Sequence, residues 1–299
     1  AMYEAKAKKG AEYRVYDATM NLKVMQKVEL ESEAREALRD NQFSLALQPQ
    51  IEMHTGRLVG FEALLRWHHP KKGNISPADF IPLLENTSFM LELDYWVITR
   101  ATYLIRELKN NGYPDVKLAI NLSAGQFLDP SLPEFLQQQI IKNDIAPDQV
   151  CLELTETAVM LDAERAIETI EYLTGKGVSF SIDDFGTGSS SLVNLKRFKV
   201  KQIKIDKDFI FNLDENADDE AIVKATIEMA HCLGVDIIAE GVETLSALEK
   251  LKVLECSAIQ GYYLAKSMPV DDLVEWLASR PQQTTTIKSK EHKALLSSK

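Results

Sequence analysis

Eight short apolar runs recur along the 299-residue chain, and segments of helical length separate most of them. The runs span residues 43–47, 58–65, 116–120, 150–154, 178–182, 202–205, 235–239 and 258–259. Apolar runs of this length are typical of strands that are buried in a parallel sheet. Strands that alternate with helices in this number predict an α/β protein with a TIM-like (β/α)8 barrel.

Polar residues of catalytic type stand at or near the ends of these runs. In chain order they are Glu62, Asn121, Glu153, Asp183 with Asp184, Lys204, Glu240 and Gln260. In barrels of this class the carboxyl ends of the strands meet at one mouth, so we expect these side chains to form one site. An isolated Asp-Asp pair has another interpretation, a helix cap beside a solvated carboxylate. Because polar residues also stand at the other strand ends, we favour a shared site over a helix cap for Asp183 and Asp184.

The oxygen atoms of this set suit hard divalent cations. The candidate metal ligands are Glu62, Asn121, Glu153, Asp183, Asp184 and Glu240. Such ligands predict two Mg²⁺ or Mn²⁺ ions, with Asp184 bridging to the second ion and Glu240 completing its shell or orienting its water. Two ions about 3.5–4 Å apart can clamp the attacking and leaving oxygens of a phosphodiester. Lys204 could hold the water, stabilise transition-state charge or pair with an acid.

The same residues carry a resemblance to a known family. The motifs are 59–67 (VGFEALLRW), 121–123 (NLS), 153–156 (ELTE), 183–188 (DDFGTG), 204–206 (KID), 240–243 (EGVE) and 260–262 (QGY). In this order they resemble the EAL family of cyclic di-GMP phosphodiesterases, over roughly residues 39–278. The resemblance implies metal-dependent hydrolysis of cyclic di-GMP to linear 5′-pGpG, which ends a second-messenger signal. It also implies a homodimer, a catalytic role for Lys204, Glu240 and Glu62, and inhibition by Ca²⁺.

Further roles follow from the resemblance alone. Gln48, Leu64, Arg66 and Gln260 match positions that contact the dinucleotide, and Arg66 offers a charge-assisted fork to a phosphate. Glu156 matches a residue that anchors the glycine-rich loop after Asp184, a loop that links metal binding to dimerisation. The alternative for Glu156 is an N-cap of the following helix.

Three positions depart from the family pattern. Ser189 stands where tyrosine is usual, Leu47 replaces an aromatic residue, and Ser88 replaces a glycine. None of these changes removes a metal ligand, so we expect an enzyme. The alternatives are a receptor that binds cyclic di-GMP without hydrolysing it, and a metallophosphodiesterase that acts on other nucleotides.

The chain divides into four predicted parts. Residues 1–19 resemble the C-terminal remnant of a GGDEF-type cyclase domain, with a simple helical leader as the alternative. Residues 20–40 form a connector helix, which either signals between domains or packs against the barrel. Residues 41–280 form the barrel, and residues 281–299 form a flexible tail. We expect a fragment of a GGDEF–EAL tandem protein whose upstream cyclase and sensor domains are missing.

Composition excludes several classes of protein. A formal net charge of −11 argues against binding of a nucleic-acid polymer. The chain has no run of about 20 apolar residues and no secretion signal, so we expect a cytoplasmic segment without membrane contact. Cys151, Cys232 and Cys256 are expected to be buried free thiols. We interpret His68-His69 as loop residues, because adjacent histidines lack the helix-face spacing of a zinc motif, and Trp67 as a core residue.

Overall fold

The computed structural model describes residues 18–85, 87–186 and 197–279. The cyclase-like segment 1–19, apart from its last two residues, therefore lies outside the described residues. So do Thr187, Gly188 and Ser189 of the glycine-rich loop, and the tail 281–299.

Nine strands and a series of helices make up the described chain. The strands are β1 (Phe43–Glu52), β2 (Leu58–His69), β3 (Gly73–Ile75), β4 (Leu118–Asn121), β5 (Val150–Thr155), β6 (Ser179–Phe185), β7 (Gln202–Ile205), β8 (Asp236–Ala239) and β9 (Ala258–Ile259). The α-helices are Ala18–Arg39, Pro77–Leu84, Ser88–Asn110, Ala124–Phe127, Leu132–Asn143, Glu156–Met160, Ala163–Thr174, Lys207–Phe211, Ala217–Leu233, Leu245–Val253 and Val270–Ser279, and a 3₁₀ turn spans Pro147–Gln149.

Eight strands close into a barrel, which confirms the predicted fold class. The order is β1-β9-β8-β7-β6-β5-β4-β2, and a β1–β2 pairing closes the ring. The first strand runs against the others, because β1 pairs with β9 in the antiparallel sense. Only five residues, 53–57, join β1 to β2, and a connection this short cannot carry the helix that a parallel crossover needs.

The described residues fall into two compact units. The first comprises the residues up to Ser44 together with Leu65–Leu93. Its helix Ala18–Arg39 buries Ala34 and Ala37 completely. Trp67 is also fully buried and lies 5.3 Å from the Phe80 ring, between centroids, which confirms its prediction as a core residue.

The adjacent histidines belong to a strand, so their interpretation as loop residues was wrong. His68 and His69 end β2, where they pair with Asn74 and Gly73 of β3. A hydrogen bond of 2.6 Å joins His68 Nδ1 to Asn74 Oδ1. Pairing with the short strand β3 thus extends β2 to His69, beyond Leu65, where the predicted run ended.

The second unit, Leu45–Leu64 with the residues from Asp94 onward, contains the remaining core. The parallel strands β4 to β9 bury nearly every apolar side chain, and Leu118, Leu152 and Ile203 are fully inaccessible. In their register Asn121 lies opposite Glu153, and Thr155 lies opposite Asp183. Strand pairing therefore brings polar residues that are far apart in sequence to neighbouring positions.

The cysteine prediction is confirmed in part. All three cysteines are free thiols, and Cys256 is buried. Cys232 is exposed on the helix Ala217–Leu233, so its predicted burial was wrong. Successive residues of a helix point in different directions, and one face of this helix meets solvent. The apolar residues near Cys232 in sequence therefore did not indicate whether Cys232 itself is buried.

No helix among the described residues is both long and apolar enough to cross a membrane.

Candidate active site

A fully buried lysine forms the centre of the site. Lys204 Nζ lies 2.6 Å from Glu240 Oε1, 3.0 Å from Glu153 Oε2, and 3.4 Å from both Glu62 Oε2 and Asp183 Oδ2. The side chains of these five residues are at most 17% exposed. The predicted ion pair of Lys204 is therefore present, with four carboxylates instead of one.

Strand geometry explains how most of these groups converge. Asn121 is the last residue of β4, and Glu240 and Gln260 directly follow β8 and β9, as the sequence predicted. Glu62 differs, because β2 continues to His69 and leaves Glu62 in the middle of the strand. Asn121 Nδ2 nevertheless donates a 2.7 Å hydrogen bond to Glu62 Oε1.

The two consecutive aspartates lie within β6, and a local irregularity brings them together. Neighbouring residues of a regular strand point to opposite faces. Here the β6–β7 register shifts between Ile182 and Phe185, and Asp184 adopts a left-handed backbone with φ of 53°. Aspartate is one of the few non-glycine residues that tolerate this conformation. The bulge therefore allows both carboxylates to serve one site.

The carboxylates form two overlapping groups, each with one oxygen per residue within 4.8 Å of the others. One group contains Glu62, Glu153 and Asp183, and the other contains Asp183, Asp184 and Glu240. Asp183 is common to both. The sequence interpretation gave the bridging position to Asp184, whereas the geometry favours Asp183.

The donor atoms fit hard divalent cations. Every candidate ligand in these groups offers an oxygen, which is the ligand type of Mg²⁺ and Mn²⁺. Glu153 Oε1 is buried without a hydrogen-bond partner among the described residues. A buried and unpaired carboxylate oxygen is costly unless a ligand satisfies it, which makes this atom a candidate for metal binding.

Burial and mutual repulsion raise the pKa of several carboxyl groups. For Glu240 the causes are burial and then the charges of Asp183 and Glu62, which together raise its pKa to about 8 despite the opposing charge of Lys204. For Asp184 burial, Asp183 and a hydrogen bond with Asp206 raise the pKa to about 7. These two groups therefore change charge near neutral pH.

Glu62 and Lys204 stay charged. Burial opposes ionisation of Glu62, but the charge of Lys204 and hydrogen bonds from Gln260 and Asn121 outweigh it and lower the pKa. Burial also disfavours the ammonium of Lys204, yet the surrounding carboxylates raise its pKa well above the usual value. Lys204 is thus a permanent cation and a hydrogen-bond donor in this site, and it cannot act as a base near neutral pH.

We expect the free energy of unfolding in chelator to fall as the pH rises from about 5 to 8. In this window Glu240 and Asp184 have lost their protons in the unfolded chain, whereas the folded protein releases them only as the pH approaches about 8 and about 7, so alkali favours unfolding. Urea unfolding in EDTA at several pH values measures the slope. The variant Glu240→Gln should have a shallower slope, and an unchanged slope would contradict the high pKa of Glu240.

A buried glutamine that sequence reasoning missed completes the site. Gln50 Nε2 donates to Gln260 Oε1 at 2.9 Å, and Gln260 Nε2 donates to Gln48 Oε1 at 3.1 Å and to Glu62. The spacing of Gln48 and Gln50 could have revealed it, because residues two apart on a strand share a face.

The remaining predicted residues occupy varied places. Leu64 is half-buried on the face of β2 that alternation also gives to Glu62. Arg66 belongs to the first unit, where its Nη1 donates to Leu65 O at 2.8 Å.

Glu156 begins the helix Glu156–Met160, and Thr155 is the N-cap, so the capping alternative for Glu156 was wrong. Its anchoring role stays a prediction, because most of the loop lies outside the described residues.

Gly261 packs too closely against the main chain to carry a side chain, so we expect Gly261→Ala to damage the site. An added Cβ would overlap with the main-chain nitrogen and oxygen of Val242. Val242 N also donates to Gln260 O at 3.1 Å, so relief of the overlap would displace Gln260. We expect a loss of about 2–3 kcal/mol of unfolding free energy, measured in urea. In the control Gly125→Ala the new Cβ meets nothing closer than 3.8 Å, and an equal loss there would contradict the steric explanation.

Comparisons with known proteins agree with this geometry. A family model described as the EAL domain matches residues 31–267. The chain is 38% identical over 278 residues to the bifunctional diguanylate cyclase/cyclic di-GMP phosphodiesterase MucR of Pseudomonas aeruginosa, covering 93% of this chain and 41% of MucR. It is 35% identical over 277 residues to the cyclic di-GMP phosphodiesterase NbdA of the same organism, covering 93% of this chain and 35% of NbdA.

A solved structure shares both the fold and much of the sequence. The PaMucR phosphodiesterase in complex with c-di-GMP matches with a TM-score of 0.80 and 39% identity, over 82% of this chain and 99% of that chain. The fold and site define a (β/α)8 barrel with a carboxylate-rich, metal-type centre. The chain belongs to the EAL-domain family. It spans about two-fifths of the length of MucR.

Proposed function

We propose that this chain is a metal-dependent phosphodiesterase that hydrolyses cyclic di-GMP to linear 5′-pGpG and so ends a second-messenger signal. The observation that carries the proposal is the pair of carboxylate groups that share Asp183 beside the buried ammonium of Lys204. The similarity to MucR and NbdA, which are named for cyclic di-GMP phosphodiesterase activity, supports the choice of substrate.

The proposed ligands divide between two Mg²⁺ or Mn²⁺ ions. Glu62, Asn121, Glu153 and Asp183 would hold one ion, and Asp183, Asp184 and Glu240 would hold the other. Bound ions would lower the pKa of a water molecule and neutralise charge on the phosphodiester. Ca²⁺ takes more ligands at longer distances, which is the physical basis for the proposed inhibition.

Lys204 would act as an electrostatic catalyst. Because its pKa is raised, Nζ stays protonated and can donate to the attacking oxygen or to a phosphoryl oxygen on which charge develops. In the net reaction the water oxygen bonds to phosphorus while the bond from phosphorus to the 3′ oxygen breaks. A 5′-phosphate and a 3′-hydroxyl are left.

The proposed substrate contacts come from the glutamines and β2. Gln260 and Gln48 would offer amide edges to the dinucleotide, and Leu64 would be a further contact. For Arg66 the support is the family resemblance alone, which gives its guanidinium a contact with a phosphate. Because Gln48 and Gln260 already hydrogen-bond within the protein, their orientation would be set before substrate arrives.

The decisive experiment follows cyclic di-GMP by chromatography in Mg²⁺, Mn²⁺, Ca²⁺ and EDTA. We expect linear dinucleotide in Mg²⁺ or Mn²⁺ and none in EDTA. Tight binding of cyclic di-GMP without turnover under all conditions would instead identify a receptor. Equal turnover of cyclic di-AMP would contradict the proposed specificity.

Further parts of the proposal concern the whole protein. We propose a cytoplasmic homodimer in which Glu156 anchors the glycine-rich loop, within a GGDEF–EAL tandem protein. The support is the family resemblance, together with the buried position of Glu156 next to β5. Light scattering of the purified chain would test the dimer, and a strictly monomeric species at all concentrations would contradict it.

A further inference from the structure

The interior of the second unit contains a chain of side-chain hydrogen bonds that runs in one direction. Gln50 donates to Gln260, Gln260 donates to Gln48 and Glu62, and Gln48 Nε2 donates to Ala265 O at 3.2 Å. The four side-chain partners belong to residues that are at most 8% exposed. Water therefore has little access, and each lost bond would leave a buried polar atom unsatisfied.

The direction of these bonds follows from the charge on Glu62. An ionised carboxylate only accepts hydrogen bonds, so Gln260 must turn its amide nitrogen toward Glu62. The carbonyl oxygen of Gln260 then faces Gln50, which must donate. A flipped Gln260 would instead place its oxygen against the acceptor oxygens of Glu62 and Gln48.

Strand pairing sets Gln50 in position for this contact. Ile51 pairs with Ile259 and Glu52 pairs with Ala258 in the antiparallel β1–β9 ladder. The same register, continued by one residue, places Gln50 opposite Gln260. The donor thus comes from a rigid strand, which suits a group that holds another side chain in place.

We infer that Gln50 is a positioning residue that fixes the amide orientation of Gln260 and, through it, the carboxylate of Glu62. The inference rests on the proposed role of Glu62 as a metal ligand. Gln50 needs no contact with substrate or metal, because it acts through Gln260. Residues that hydrogen-bond around the ligands of a metal site orient those ligands, and loss of such a residue typically weakens metal binding by about 10–100-fold.

Titration of the purified protein with Mn²⁺ alone tests the inference. Free Mn²⁺ is measured by electron paramagnetic resonance. We expect Gln50→Leu to weaken Mn²⁺ binding about tenfold. The control Gln139→Leu removes another buried glutamine, from the helix Leu132–Asn143, and should leave Mn²⁺ binding unchanged. If Gln50→Leu does not fold, Gln50→Met removes the same donor with a longer, unbranched side chain.

A double-mutant cycle separates positioning from general packing. Because Gln50 acts through Gln260, the variant Gln50→Leu/Gln260→Leu should bind Mn²⁺ no more weakly than Gln260→Leu. Additive losses in the double variant, or wild-type affinity in a folded Gln50→Leu, would overturn the inference.

A second measurement keeps the inference separate from the proposed function. Hydrogen exchange of the Gln260 side-chain amide, followed by NMR, should be slow in the wild type and faster in Gln50→Leu. Unchanged exchange would overturn the role of Gln50 even if the enzyme is active. If the wild type neither binds Mn²⁺ nor hydrolyses cyclic di-GMP, the proposed function fails, and the exchange rates still decide whether Gln50 orients Gln260.

Discussion

The variant Lys204→Met should lose both turnover and much of the stability of the metal-free protein. It leaves Glu62, Glu153, Asp183 and Glu240 without the buried cation that lies within 3.4 Å of each of them. Removal of one partner from a buried ion pair typically costs about 3–5 kcal/mol. We expect a loss of this size in urea unfolding at pH 8 with EDTA, because Glu62 is then ionised and Glu240 is about half ionised.

Added Mn²⁺ should separate the two effects of this substitution. A divalent cation can replace the charge of Lys204, so Mn²⁺ should restore more stability to Lys204→Met than to the wild type. It should not restore turnover, since the donor at Nζ is still missing. The control is Lys72→Met, which breaks an exposed pair with Glu33 and should change stability by less than about 1 kcal/mol. Full turnover in Lys204→Met would exclude a catalytic role for this lysine.

The variant Glu62→Gln should reduce turnover by about 10³-fold or more, which corresponds to about 4 kcal/mol of transition-state stabilisation. The substitution keeps the shape of the side chain but removes an anionic ligand from the group formed with Glu153 and Asp183. Asn121 and Gln260 both donate hydrogen bonds to Glu62, so the new amide nitrogen would place a donor against one of these donors. The kcat and the Mn²⁺ concentration for half-maximal rate measure the effect.

A matched control for Glu62→Gln is available on the neighbouring strand. Glu52 ends β1 and pairs with Arg57 at the surface, so Glu52→Gln makes the same chemical change outside the site. We expect wild-type turnover from Glu52→Gln. Wild-type turnover from Glu62→Gln as well would remove Glu62 from the catalytic site, and similar losses in both variants would point to a general effect of charge.

Much of the site could be predicted from sequence because its residues follow strands. Asn121, Glu240 and Gln260 stand where apolar runs end, and the barrel brings such ends together. Glu62 was assigned to the site because it stands near the end of the apolar run 58–65, although β2 continues beyond it. The other acidic residues around Lys204, namely Glu153, Asp183 and Glu240, were likewise predicted from their positions at or near run ends.

Other features depend on distances that sequence patterns do not contain. The reversal of β1 follows from a short connection that was visible in sequence, yet only the β1–β9 register places Gln50 opposite Gln260. The left-handed conformation of Asp184 changes which face its side chain serves, and a regular strand pattern predicts the opposite. The exposure of Cys232 likewise depends on which helix face meets the barrel.

The sequence by itself determined the fold class, the order of the strands and the oxygen-rich chemistry of the site. These properties come from local patterns, namely apolar runs, helical segments and polar residues at run ends. Only the tertiary structure decided which carboxylates share Asp183, how Lys204 pairs with four acids, and why Glu240 has a pKa of about 8. Those properties arise from contacts between residues as far apart as Glu62 and Lys204, where burial strengthens each charge interaction.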